Sequence, residues 1–70
     1  MQTVAKQIRR LRKRARLLGV HRARGFRRHL RAAVDYLADG RPGWAWDELA
    51  AAEELLDWWG AGAVLVLAGN

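Results

Sequence analysis

Apolar residues open the chain at Val4, Ile8, Leu11, Ala15 and Leu18, alternating steps of four and three that lay a narrow, coiled-coil-like stripe along one side of an α-helix. At about 100° per residue, the five positions fall within one quarter of the helix circumference. Thr3 stands where an N-cap is needed, and Gly19 where a helix ends on a left-handed residue. The pattern therefore predicts a helix over 4–18, with Leu17 the one apolar residue on its charged side.

The next stretch has no clear period. Gly19 and Gly25 each weaken a helix by about 1 kcal/mol relative to Ala, yet no Pro interrupts it, so either a turn or a bent continuous helix fits. From Phe26 the helical period resumes with Leu30, Ala33, Val34 and Leu37, predicting a second helix over 22–38 in which Asp35, four residues after Arg31, is expected to pair with it. Asp39-Gly40 followed by Arg41-Pro42-Gly43 is the strongest break in the chain. Beyond it, Ala45, Leu49, Ala52, Leu56 and Trp59, widened by Leu55, predict a third helix over 45–59. Asp47 and Glu48 fall in its expected first turn, where the positive end of the helix dipole favours them. The apolar run after Gly60 reads either as more helix or as a short strand, and a lone strand needs a second copy to pair with. The fold class that follows is all-α: one small domain, 1–70, built as a bundle of about three helices.

Size adds one expectation. A chain of 70 residues buries only about 60% of the surface its unfolded form exposes. With no Cys there is neither a disulfide nor a thiolate metal site to staple the fold, and self-association is the expected substitute. Four Trp residues bear on this. Trp46 and Trp59 are expected to fill the core with Phe26, Leu30 and Leu56. Trp44, Leu55, Trp58 and the tail residues Val64 and Leu65 are the candidates for a subunit or partner interface.

Charge changes the picture most. The net charge of +6 divides unevenly: residues 1–43 hold all thirteen basic and two acidic side chains, and residues 44–70 hold five acidic and no basic ones. Lys6 to Arg31 alone carries twelve of the cations and no acid. Such asymmetry calls for an acidic partner. Arg presents a planar fork of donors that matches phosphate, and phosphate contacts release condensed counterions. Arg9, Arg10, Arg12, Lys13, Arg16, Arg24, Arg27, Arg28 and Arg31 are the residues expected to touch a nucleic-acid backbone, DNA or RNA. The helix, Gly-containing turn and Arg-bearing second helix fit helix-turn-helix order loosely, while zinc-finger spacing and the aromatic pattern of an RNA-recognition sheet are absent.

The same cations fit other partners. An acidic protein surface gives a second functional reading: a small modulator, of phage or mobile-element type, that uses the Arg face or Trp58 to inhibit an acidic host protein. An anionic membrane surface fits less well, because the first helix lacks an aromatic anchor. The acids of the third helix can neutralise some of the Arg internally, with the remainder simply solvated. Catalysis is not expected: there is no Ser or Cys nucleophile, no Gly-rich phosphate loop and no His-carboxylate pair close in sequence. His21 and His29 have no ligand-spaced partner, and Glu53 with Asp57 is a common exposed pair, so no metal or cofactor is expected. The basic start lacks an apolar signal region, and the uncharged run 58–70 falls short of the roughly 20 residues a membrane span needs, so the expected location is cytoplasmic.

Overall fold

The structure, a computed structural model, describes the backbone of residues 3–69 and the side chains of residues 3–61. It is a small all-α bundle of three helices, α1 (Val4–Leu18), α2 (Arg24–Ala38) and α3 (Pro42–Gly69), with no strand among the described residues.

Local chemistry sets most of the helix ends. At the start of α1 the Thr3 hydroxyl accepts the Lys6 N–H at 3.2 Å, satisfying a donor that the helix itself leaves unpaired. At its end Gly19 turns to φ 74°, its N–H donates to the Arg16 carbonyl at 3.1 Å, and the Val20 N–H donates to that of Ala15 at 2.9 Å. The end of α2 repeats the arrangement: Gly40 sits at φ 73°, the Gly40 N–H donates to Leu37 at 3.1 Å, and the Arg41 N–H to Tyr36 at 2.8 Å. Both are Schellman closures, in which a left-handed glycine lets the last carbonyls find donors.

Two helix starts differ from the pattern. α2 begins at Arg24 rather than 22, because the Ala23 N–H closes a turn onto the Val20 carbonyl and the Ala23 carbonyl then takes the Arg27 N–H, both at 3.0 Å. His21 and Arg22 thus lie in a turn, and α1 and α2 are separate helices. α3 begins at Pro42 rather than 45. Proline's fixed φ and missing N–H suit the first helical position, and the Arg41 carbonyl accepts the Ala45 N–H at 3.1 Å. Asp47 and Glu48 consequently lie beyond the first turn, which holds no acid.

α3 is the element on which the others are assembled. Both α1 and α2 pack against it, α2 the more extensively, while α1 and α2 touch each other only slightly. The core joins Val4, Ile8, Leu11 and Ala15 of α1, Phe26, Leu30 and Ala33 of α2, and the stripe Ala45, Leu49, Ala52 and Leu56 of α3. Paired residues ascend together along α1 and α3 (Gln7 with Glu53, Arg14 with Asp57, Leu18 with Gly60), so these two helices run in the same sense. They ascend oppositely along α2 and α3 (Gly25 with Leu55, His29 with Glu48, Tyr36 with Trp44), so α2 runs against α3.

This arrangement corrects three expectations about the core. Trp46 is 37% exposed and lies at the rim. It sits seven residues before Glu53, about 10 Å along α3, which carries it past the start of α1. Val34 and Leu37, 40% and 39% exposed, also lie outside the buried set. α2 has only α3 as a full partner, so the flank that Val34 shares with the α1 side stays open. Trp59, Val20, Ala23 and Tyr36 pack half-buried against the core's edge.

Candidate nucleic-acid interface

Because α1 and α2 are each held by α3 and barely by each other, they leave a groove between them of about 1010 Å³, with no α3 residue among those lining it. Arg12 and Arg16 line it from α1, His21 and Arg22 from the turn, and Arg24, Arg27, Arg28 and Arg31 from α2, with Phe26, Leu30, Val34 and Asp35 completing it. Helical spacing explains the membership. Arg12 and Arg16 stand four apart on the flank next to the buried stripe of α1, and Arg24, Arg27 and Arg31 share a flank of α2 at steps of three and four.

Seven arginines therefore face one space that contains a single acid, Asp35. All seven are exposed, and among the described residues none has an ion-pair partner. The expected Arg31–Asp35 pair is not formed. α2 starts at Ala23 without a side-chain cap and with no acid in its first turn, so its positive dipole end adds to the same field.

Of the nine sequence-predicted contacts, Arg12, Arg16, Arg24, Arg27, Arg28 and Arg31 line the groove. Arg9 extends the Arg12–Arg16 row by one turn. Arg10 stands four residues before Arg14, on the edge of α1 that faces α3, and Lys13 lies on the outer side of the helix. Sequence reasoning missed His21 and Arg22. Their signal was a polar pair bracketed by Gly19 and Gly25, the mark of an exposed turn.

The acids of α3 are engaged elsewhere. Asp57 accepts from Arg14 Nη2 at 2.5 Å, Glu53 accepts from the buried Gln7 Nε2 at 3.1 Å, and Glu48 Oε2 lies 2.7 Å from His29 Nδ1. These contacts fasten α1 and α2 to α3 and leave the groove unneutralised. Asp47 and Glu54 are exposed, in one stripe of α3 with Ala51 and the 71%-exposed Trp58. That stripe points away from the buried one.

The remaining interface candidates are dispersed. Trp44, 51% exposed, meets Tyr36 edge-on at 5.4 Å and 83°, and the Arg41 guanidinium lies 4.4 Å over its ring. This cation–π contact stiffens the turn between α2 and α3. Leu55 is half-buried in the α2–α3 seam beside Gly25. The side chains of Val64 and Leu65 lie outside the described residues. Among the described residues, no three His or carboxylate side chains gather as a metal site, and no helix is long and apolar enough to cross a membrane. No protein-family model, curated protein or solved structure matches the chain.

Proposed function

We propose that this is a non-enzymatic nucleic-acid-binding protein that holds phosphate backbone in the groove between α1 and α2. The observation that carries the reading is the gathering of seven exposed arginines without ion-pair partners among the described residues, in a groove about 1010 Å³ in volume. Each guanidinium offers five donors and no acceptor, and matches a phosphate bidentately. An acidic protein is the competing occupant. Against it, the groove's large apolar residues Phe26 and Leu30 are only 1% and 5% exposed and Val34, at 40%, is its one exposed apolar side chain, so the groove offers charge without the aromatic anchor on which protein–protein affinity concentrates. The reading takes the protein as cytoplasmic. It also includes self-association, the expected substitute for the missing staples of so short a chain, with Trp58, 71% exposed, as one apolar side chain available to it. Light scattering at micromolar concentration should report a dimer or larger, and a stable monomer removes that part.

The test is a fluorescence-anisotropy titration of labelled nucleic acid over a range of salt. If all seven groove arginines met phosphates of a DNA duplex, the log–log slope would reach about −6. Replacing Arg27 and Arg31 by Gln should flatten it by about 2. Replacing Arg10 and Lys13 by Gln removes the same charge outside the groove and should leave the slope nearly unchanged. No binding at low salt by protein that circular dichroism reports as folded would defeat the reading and favour the acidic-protein partner.

A further inference from the structure

We infer that the groove receives one phosphodiester ridge of a double-stranded nucleic acid, leaving the bases paired and unread. This rests on the nucleic-acid reading above and goes beyond it by choosing the form of the polymer.

The choice follows from where the aromatic side chains lie. A protein that binds single strands pairs its positive channel with exposed aromatic rings, because unpaired bases present apolar faces that must be stacked on something. The groove offers no Trp, Tyr or Phe ring to solvent: Phe26 is 1% exposed, and the one exposed ring among its lining is the small imidazole of His21, in the turn at one end. The large exposed aromatics are elsewhere. Trp44 is engaged by Tyr36 and Arg41 at the α2–α3 turn, Trp46 lies at the rim near the start of α1, and Trp58 projects from the side of α3 turned away from the buried stripe. A strand lying among the arginines would have only His21 and guanidinium planes to stack on, with no large ring for the rest of its bases.

A duplex has no such requirement. Its bases are stacked on each other and its outer surface is a phosphate ridge, convex where this groove is concave. Arg24 to Arg31 spans seven residues of α2, about 10 Å of rise. One strand of a DNA duplex places a phosphate every 3.4 Å or so along the axis, so the row meets about three phosphates. Asn and Gln, which read adenine edges, are absent from the lining, and Arg, which can reach guanine edges, is the residue that the comparison of two duplex sequences tests. The arginines have phosphates to satisfy, and phosphate contacts position without specifying.

Anisotropy titrations at one moderate salt concentration test this, using a DNA duplex of about 20 base pairs, each of its strands alone, and an RNA duplex of the same sequence. The expected result is binding to duplex at least about tenfold tighter than to either strand, nearly equal for a second, unrelated sequence. Binding by only one of the two duplexes supports the inference and identifies the polymer. A charged surface of any shape favours the denser duplex somewhat, so the groove is tested separately. Arg27→Gln with Arg31→Gln should reduce the duplex-to-strand ratio, while Arg10→Gln with Lys13→Gln should preserve it. Equal or tighter single-strand binding overturns the inference and leaves the nucleic-acid reading standing, as does a ratio that both double variants change alike. A tenfold difference between the two duplex sequences would overturn the claim that bases go unread. Failure of every polymer to bind defeats both readings together.

Discussion

Replacing Gly60 by Ala should stabilise the protein, although the residue lies where α1 meets α3. Gly60 is helical and outside the positive-φ region, and Gly in a helix interior costs about 1 kcal/mol relative to Ala. The added methyl would rest 3.9 Å from both Leu18 δ-carbons, an ordinary contact with no clash. Leu18 is 38% exposed, so covering it adds a few tenths of a kcal/mol. The sum is a gain of about 1 kcal/mol. In a domain of this size, whose total stability is on the order of 4–10 kcal/mol, it should raise Tm by about 4–8 °C. Urea denaturation followed by circular dichroism measures it as a higher midpoint at unchanged slope. Gly19→Ala and Gly40→Ala supply the contrast: neither meets any atom within 4 Å, yet each forces a side chain into the left-handed region at a cost of about 1–2 kcal/mol. Opposite signs at Gly60 and at the two turn glycines are the expected outcome. A neutral or destabilising Gly60→Ala would refute a continuous α3 passing beneath Leu18.

Leu49→Ala empties a fully buried site on the core stripe of α3 and should cost about 2–5 kcal/mol, read as a markedly lower midpoint in a thermal melt. Gln7→Ala removes the buried donor to Glu53 and should cost about 1–3 kcal/mol. Urea titration checks it, and an unchanged midpoint would mean that α1 does not need this anchor. Glu54→Gln combined with Asp57→Asn should cost no more than about 1 kcal/mol, since the Arg14 and Asp57 side chains are 39% and 61% exposed and Glu54 is exposed. A loss of several kcal/mol in the same assay would show that these carboxylates hold the bundle together.

The legibility of this fold followed the range of the interactions that set it. The bounds of α1 were readable because the stripe, the Thr3 cap and the Gly19 closure all act within one helix. The starts of α2 and α3 were less so: Ala23 offers no capping side chain, and Pro42 serves equally as a break or as a first helical residue until its neighbours are in place. Burial of Val34 and Trp46 depends on which helices touch and how far each extends, which periodicity does not encode. The same limit sorted the cations. The basic stretch was obvious, but only the arrangement of α1 and α2 on α3 separates Arg12 and Arg16 from Arg10 and Lys13. Contacts such as Gln7–Glu53 and His29–Glu48 join residues 46 and 19 positions apart and leave no mark on a single sequence.

The groove and the core are not independent parts of this molecule. Phe26 and Leu30 line the groove, yet are 1% and 5% exposed, so the side chains around them keep water off. Arginine is suited to this because its three-carbon stem can lie along apolar surface while the guanidinium stays in solvent. A chain of 70 residues has too little apolar side-chain volume to close its core on every side, and on the side that α3 does not reach the residues beside Phe26 and Leu30 in the groove are mostly long-stemmed arginines. Crowding like charges there costs folding energy through mutual repulsion. The acids of α3 do not relieve that repulsion, because Glu53, Asp57 and Glu48 meet Gln7, Arg14 and His29, none of which lines the groove. On the proposed reading an anion of matching charge density would relieve it, and a ligand that binds only the folded form stabilises it by mass action. If the groove binds such an anion, the stability of the bundle should rise with its occupancy, and a higher Tm in the presence of a DNA duplex at low salt is the measurement that checks it.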